Sequence, residues 1–85
     1  MPSFVFYGGT VMNWDYEKNV GERIRSLRIK NKLTQEQLSA RLQIKGCDMT
    51  RSALAKVEVG QRHIYIDEIK CLKEILGVRY EDLLE

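Results

Sequence analysis

The chain is short of the residue types on which catalysis and metal binding depend. It holds one histidine and two cysteines in 85 residues. His63, Cys47 and Cys71 match no zinc-ligand spacing, so no metal site is expected. A lone imidazole with no supporting serine or cysteine context supplies no nucleophile–base set. Glycine loops that cradle phosphate are missing, and Gly8-Gly9 alone is no motif. The carboxylate pairs Asp67-Glu68 and Glu81-Asp82 lie near helix starts, where the macrodipole favours negative charge, and are read as structural. No apolar run approaches the roughly 20 residues that a membrane span requires. Phe4-Val5-Phe6-Tyr7 has no basic flank before it, so a secretory leader is not expected. Both thiols are expected to be free, as in a reducing cytoplasm. These absences leave a cytoplasmic, non-enzymatic domain without cofactor, metal or small-molecule ligand.

What remains is ordinary globular composition with an uneven charge. Hydrophobic residues make up 44% and charged residues 31% of the chain, and a core of this size cannot be divided into two. Between Lys18 and Arg62 there are eleven basic residues against four acidic ones, whereas His63–Glu85 carries three against six. A basic stretch joined to an acidic one suggests a polyanion-facing surface beside one that avoids polyanions.

Hydrophobic spacing divides the chain into a non-helical arm over residues 1–17 and a helical domain over 18–85. Ser3–Val11 is β-prone, but a lone strand has no sheet to join, so a mobile or loosely docked arm is expected. From Val20 the spacing of Val20, Ile24 and Leu27 is helical. Thr34 and Gln37 form a T-x-x-Q capping box for a second helix that buries Leu38 and Leu42. A third helix opens at Asp48 or Thr50, turns Met49, Leu54 and Val57 inward, and ends before Gly60, where a left-handed residue suits glycine. Ile66–Leu76 reads as a fourth helix, with Ile66, Ile69, Leu72, Ile75 and Leu76 at helical spacing. Gly77 closes it, and Tyr80–Leu84 gives a last turn or two. The fold class is therefore all-α, a compact five-helix domain with a non-helical arm.

Thr34–Arg62 is the informative stretch. Two short capped helices joined by a turn make a unit that fits a duplex when the second presents small and hydrogen-bonding residues outward. Here those residues are Arg51, Ser52, Ala55 and Lys56. Arg51 has the fork that matches a guanine edge, and flanking basic side chains suit phosphates. A merely solvated basic helix surface is the competing reading.

Val20-Gly21-Glu22-Arg23-Ile24-Arg25-Ser26-Leu27-Arg28 and Leu33-Thr34-Gln35-Glu36-Gln37-Leu38 resemble the opening of the phage Cro- and repressor-like helix-turn-helix family, also called XRE. Thr50–Arg62 is similar to its recognition helix and exit loop. Leu72–Val78 followed by Asp82-Leu83-Leu84 is similar to its closing segment. The resemblance covers about residues 20–84. It implies a repressor-like fold, binding of double-stranded DNA, and a role in transcription, most simply repression. Carried over by residue, it implies base contacts from Arg51, Ser52 and Lys56 and a phosphate contact from Gln35. It also gives Thr34 a phosphate role through the helix it caps, gives Arg62 a backbone contact, and joins Arg28 to Glu58 in an internal salt bridge. The turn Gln43–Asp48 is longer than the family's usual single glycine, which costs little in closure entropy and gives Lys45 reach toward a further phosphate. Ser39 stands where alanine is common, a change expected to be neutral.

So small a reader gains specificity as a homodimer over two half-sites. Val78, Tyr80, Leu83 and Leu84 are the expected dimer surface, with Phe4, Phe6 and Tyr7 of the arm as the alternative. A protein-interaction module that keeps these helices without specific DNA binding is the rival function.

Overall fold

The structure, a computed structural model, describes residues 4–7 and 10–85, with side-chain surroundings from Asp15 onward. Five helices form the body: α1 (Trp14–Lys30), α2 (Gln35–Ile44), α3 (Arg51–Glu58), α4 (Ile66–Leu76) and α5 (Tyr80–Leu84). Ahead of them β1 (Phe4–Tyr7) pairs antiparallel with β2 (Thr10–Asn13), Phe4 opposite Asn13 and Tyr7 opposite Thr10. The expected lone strand therefore has a partner, supplied by residues that the sequence reading left in the arm. Residues 1–3, Gly8 and Gly9, and the side chains of Phe4, Phe6 and Tyr7 proposed as an alternative dimer surface, lie outside the described residues.

Helix α1 begins at Trp14, six residues ahead of the first apolar repeat at Val20, so residue 17 lies inside it. Its first turn carries Asp15 and Glu17, which suit the positive end of a helix dipole. Two long-range bonds hold that turn down. The Tyr16 hydroxyl donates to the Leu84 carbonyl at 2.9 Å, and Glu17 Oε1 lies 2.6 Å from His63 Nδ1.

The core draws on every helix. Val20 and Ile24 of α1, Leu38 and Leu42 of α2, Leu54 and Val57 of α3, Leu72 and Leu76 of α4 and Leu83 of α5 are all buried, with Leu33, Met49 and Ile64 from the connections. Each such side chain contributes about 1.5–3 kcal/mol relative to exposure. Ile66, one of the apolar residues at helical spacing, is 87% exposed. The inward stripe of α4 is Glu68, Leu72 and Leu76, spaced by four. Ile66 lies two residues before that stripe, more than half a turn away from it. Ile64, in the extended link, is the isoleucine that enters the core instead.

Close approach of α1 to the end of α3 depends on glycine. A Cβ on Gly21 would stand 2.2 Å from the Val57 carbonyl oxygen and 2.8 Å from that of Glu58. Just beyond α3, Gly60 adopts φ 76° with Lys18 Cα only 2.8 Å from where its Cβ would sit. Left-handed backbone and lack of space both require glycine there. α1 thus lies directly against the exit of α3 and sets where the outward face of that helix points.

Candidate nucleic-acid interface

Helix α3 is short, eight residues, and its start is fixed by Thr50 rather than Asp48. The Thr50 hydroxyl oxygen accepts the Ala53 N–H at 3.1 Å. From that cap the helix turns Leu54 and Val57 into the core while Arg51, Ser52 and Lys56 stand exposed, with Ala53 and Ala55 half-buried between them. The polar residues are therefore the accessible ones, and the alanines keep the surface low enough for a groove edge to approach.

Helix α2 starts beside it. Thr34 Oγ1 accepts the Gln37 N–H at 3.0 Å, and Gln37 Oε1 accepts the Thr34 N–H at 2.9 Å, a reciprocal capping box. The Gln35 and Glu36 amides that follow Thr34 precede the first intrahelical bond and sit at the positive end of the helix dipole, an anion-favouring arrangement. Thr34, Gln35 and Arg51 line one open cleft with Arg28, Leu33 and Glu36. The starts of α2 and α3 thus meet on a single surface, and Glu36 is its one acidic member.

Beneath that cleft lies a buried polar cluster. Glu58, with its side chain 1% exposed, accepts from Arg28 Nε at 2.7 Å and from Arg28 Nη2 at 3.0 Å. Arg28 Nη1 also donates to the Leu33 carbonyl at 2.9 Å. The same carboxylate accepts from Gln35 Nε2 at 3.0 Å. The second hydrogen of that amide and its oxygen are left for other partners. Glu58 therefore links the ends of α1 and α3 and also sets the orientation of Gln35.

The turn between α2 and α3 is anchored rather than loose. Gly46 has φ 86°, Cys47 N–H donates to the Leu42 carbonyl at 2.9 Å, and Cys47 is buried. Ser39 is no neutral replacement. Its hydroxyl donates to the Met49 carbonyl at 2.6 Å, an interaction that alanine cannot make.

Two residues expected at phosphates are engaged within the chain. Arg62 forks onto Glu68 with two 3.0 Å bonds and also donates to the His63 carbonyl. The bonds to Glu68 push the guanidinium pKa up against the opposing effect of burial. Lys45 meets Glu74 at 2.8 Å and holds that carboxyl below its ordinary range. Both partners of this second pair are about 40% exposed, so it is worth little and exchanges readily. Lys45 also lines a separate cleft with Cys47, Cys71 and Glu74, not the one shared by Thr34, Gln35 and Arg51.

Of the expected dimer surface, Leu83 is fully buried and belongs to the core. It is the one fully buried residue of the short helix α5, and its side chain seals the body. Val78 and Leu84 are half-buried against that core, and Tyr80 is 42% exposed.

Glu68 was not singled out beyond its place in a carboxylate pair. It is buried, accepts both bonds from Arg62, and also accepts the Tyr65 N–H at 2.9 Å. A glutamate three residues after a helix-opening position carries a readable signal of this capping role. The Glu17–His63 contact and the bond from Ser39 to Met49 carry no such local signal.

A sequence profile of the family described as "Helix-turn-helix domain" matches residues 21–85. Control protein C.BamHI of Bacillus amyloliquefaciens is 32% identical over 66 residues, 76% of this chain and 75% of that protein. The restriction-modification controller C.AhdI of Aeromonas hydrophila superimposes with a TM-score of 0.71 at 30% identity, over 82% of this chain and 94% of that one. The BldD DNA-binding domain of S. venezulae gives 0.69 at 20% identity, over 84% and 99%, and supports the fold alone. The chain belongs to the XRE-type helix-turn-helix family, a family of transcriptional regulators and not of enzymes.

Proposed function

We propose that the protein is a cytoplasmic transcriptional regulator that binds duplex DNA sequence-specifically as a homodimer and represses nearby transcription. One observation carries this reading: the capped start of α2 and the exposed Arg51 of α3 share one cleft, with Ser52 and Lys56 exposed beyond it on the same helix. Arg51, Ser52, Ala55 and Lys56 face base edges in the major groove, while Thr34 and Gln35 meet a phosphate beside them. Lys45 is free to leave Glu74 for a phosphate at small cost. Arg62 is not, because its departure would strand the Glu68 carboxylate. Likeness to two control proteins supports the regulatory role. Two copies across a two-fold axis reach half-sites about 34 Å apart, and Val78, Tyr80 and Leu84 supply the apolar surface for that contact.

Selection of bound sequences from a random duplex pool tests the proposal. A palindromic preference is expected. Arg51→Ala should relax it at the contacted base, losing about 1–3 kcal/mol of discrimination, while Gln35→Ala should weaken binding without changing which sequence wins. An interaction module instead of a DNA reader would show almost no dependence of duplex affinity on salt. Selection untouched by both substitutions would refute the assigned face.

A further inference from the structure

Cys47 and Cys71 are far apart in sequence and adjacent in the fold. Cys47 is buried in the turn that delivers α3, and Cys71 is half-buried on α4. Both line one open cleft with Lys45, Gly46, Asp67, Lys70 and Glu74. The two thiols therefore border the same space, one from the turn and one from α4. We propose that they form a reversible oxidation site, in which hydrogen peroxide converts the pair to a Cys47–Cys71 disulfide and weakens DNA binding. The effect on binding rests on the regulator reading above; the cross-link does not.

The chemistry balances without further reactants. The Cys71 sulfur attacks a peroxide oxygen, giving a sulfenic acid and one water. The Cys47 sulfur then displaces the hydroxyl as a second water, and the Sγ–Sγ bond forms. Two thiols lose two electrons and two protons, and the peroxide is reduced to two waters. Cys71 is the group that meets the oxidant first, since it is the more exposed of the two. Burial, followed by the neighbouring Cys71, pushes the resting Cys47 thiol up to about 11, which keeps it unreactive.

The bond has a mechanical consequence. To bond, the two sulfurs must approach to about 2.05 Å, drawing the turn toward α4. That turn has little slack, because Cys47 N–H is bonded to Leu42, Ser39 holds Met49, and Thr50 caps α3 immediately afterwards. A displacement at Cys47 is passed directly to the start of α3, where Arg51 and Ser52 stand.

The full chain is treated with hydrogen peroxide, then followed by intact mass, thermal melting and duplex anisotropy, with Cys71→Ser alongside. The expected result is a mass lower by about 2 Da, the two thiol hydrogens, a raised melting temperature, and duplex affinity lower by about tenfold. Dithiothreitol should reverse all three, and Cys71→Ser should keep its affinity through the peroxide step. No mass loss, or a disulfide formed with unchanged affinity, overturns the proposal. Failure of the reduced chain to bind any selected duplex would sink the regulator reading and the effect on binding, while mass and melting still judge the cross-link.

Discussion

Arg28 and Arg62 both lie in the basic stretch of the chain, and both fork onto a glutamate. Arg28 reaches Glu58 at 2.7 and 3.0 Å, and Arg62 reaches Glu68 with two bonds of 3.0 Å. They differ in burial and in what the carboxylate does next. The first pair is 10% and 1% exposed and passes its spare acceptor capacity to Gln35, which lines the cleft at the start of α2. The second is 28% and 7% exposed and uses the same capacity on the Tyr65 N–H, closing the link into α4. One device therefore orients a side chain of the cleft, and the other engages a cation within the chain. Basic residues counted along a sequence are not equivalent to basic residues offered to a ligand.

Glu58→Ala should give the largest effect on either side of this comparison. It leaves Arg28 enclosed and unpaired, a loss of about 3–5 kcal/mol, and so a fall in melting temperature of roughly 15 °C or more in a domain of this size. Thermal denaturation followed by circular dichroism reads it directly. A fall of only a few degrees would show that Arg28 finds water or another acceptor, and that Glu58 is no hub.

Glu68→Ala comes second. Its partner is more exposed, so the stranded charge is better solvated, but the Tyr65 cap is lost as well. About 1–3 kcal/mol is expected from the two together. If the loss equalled that of Glu58→Ala, burial would not be what separates the pairs.

The legible parts of the molecule are those with local causes. The Thr34 capping box, the bounds of α4 and α5, and the positive φ of Gly60 and Gly77 follow from residues within one or two turns of each other. Arg51, Ser52 and Lys56 could be placed outward because Leu54 and Val57 fix the phase of α3. What failed was set by distant partners. The stretch from Trp14 to Asn19 has no apolar repeat, yet it is helical because Leu84 and His63 hold Tyr16 and Glu17. Gly21 matched a pattern, but its reason, a carbonyl 2.2 Å from an added Cβ, lies across the packing of two helices. The Arg62–Glu68 pair has no local signal, because the buried position of Glu68 is set by the phase of the Leu72 and Leu76 stripe.

Arg62→Gln tests the same distinction with the smallest expected change, because the quantity that matters should not move. A side chain that neutralises a phosphate releases counterions, so its loss lowers the slope of log affinity against log salt by about one. If Arg62 is committed to Glu68, the slope for a selected duplex should match that of the parent. Affinity should fall only as far as the weakened link after α3 allows. Lys45→Gln is the internal control, since the exposed Lys45–Glu74 pair yields readily to a phosphate and its removal should lower the slope. Equal slopes for parent and Arg62→Gln, with a lower slope for Lys45→Gln, place the boundary of the phosphate surface between two cations that composition treats alike. A lower slope for Arg62→Gln would mean that DNA takes Arg62 from Glu68, and the two arginine–glutamate pairs would then differ in strength rather than in role.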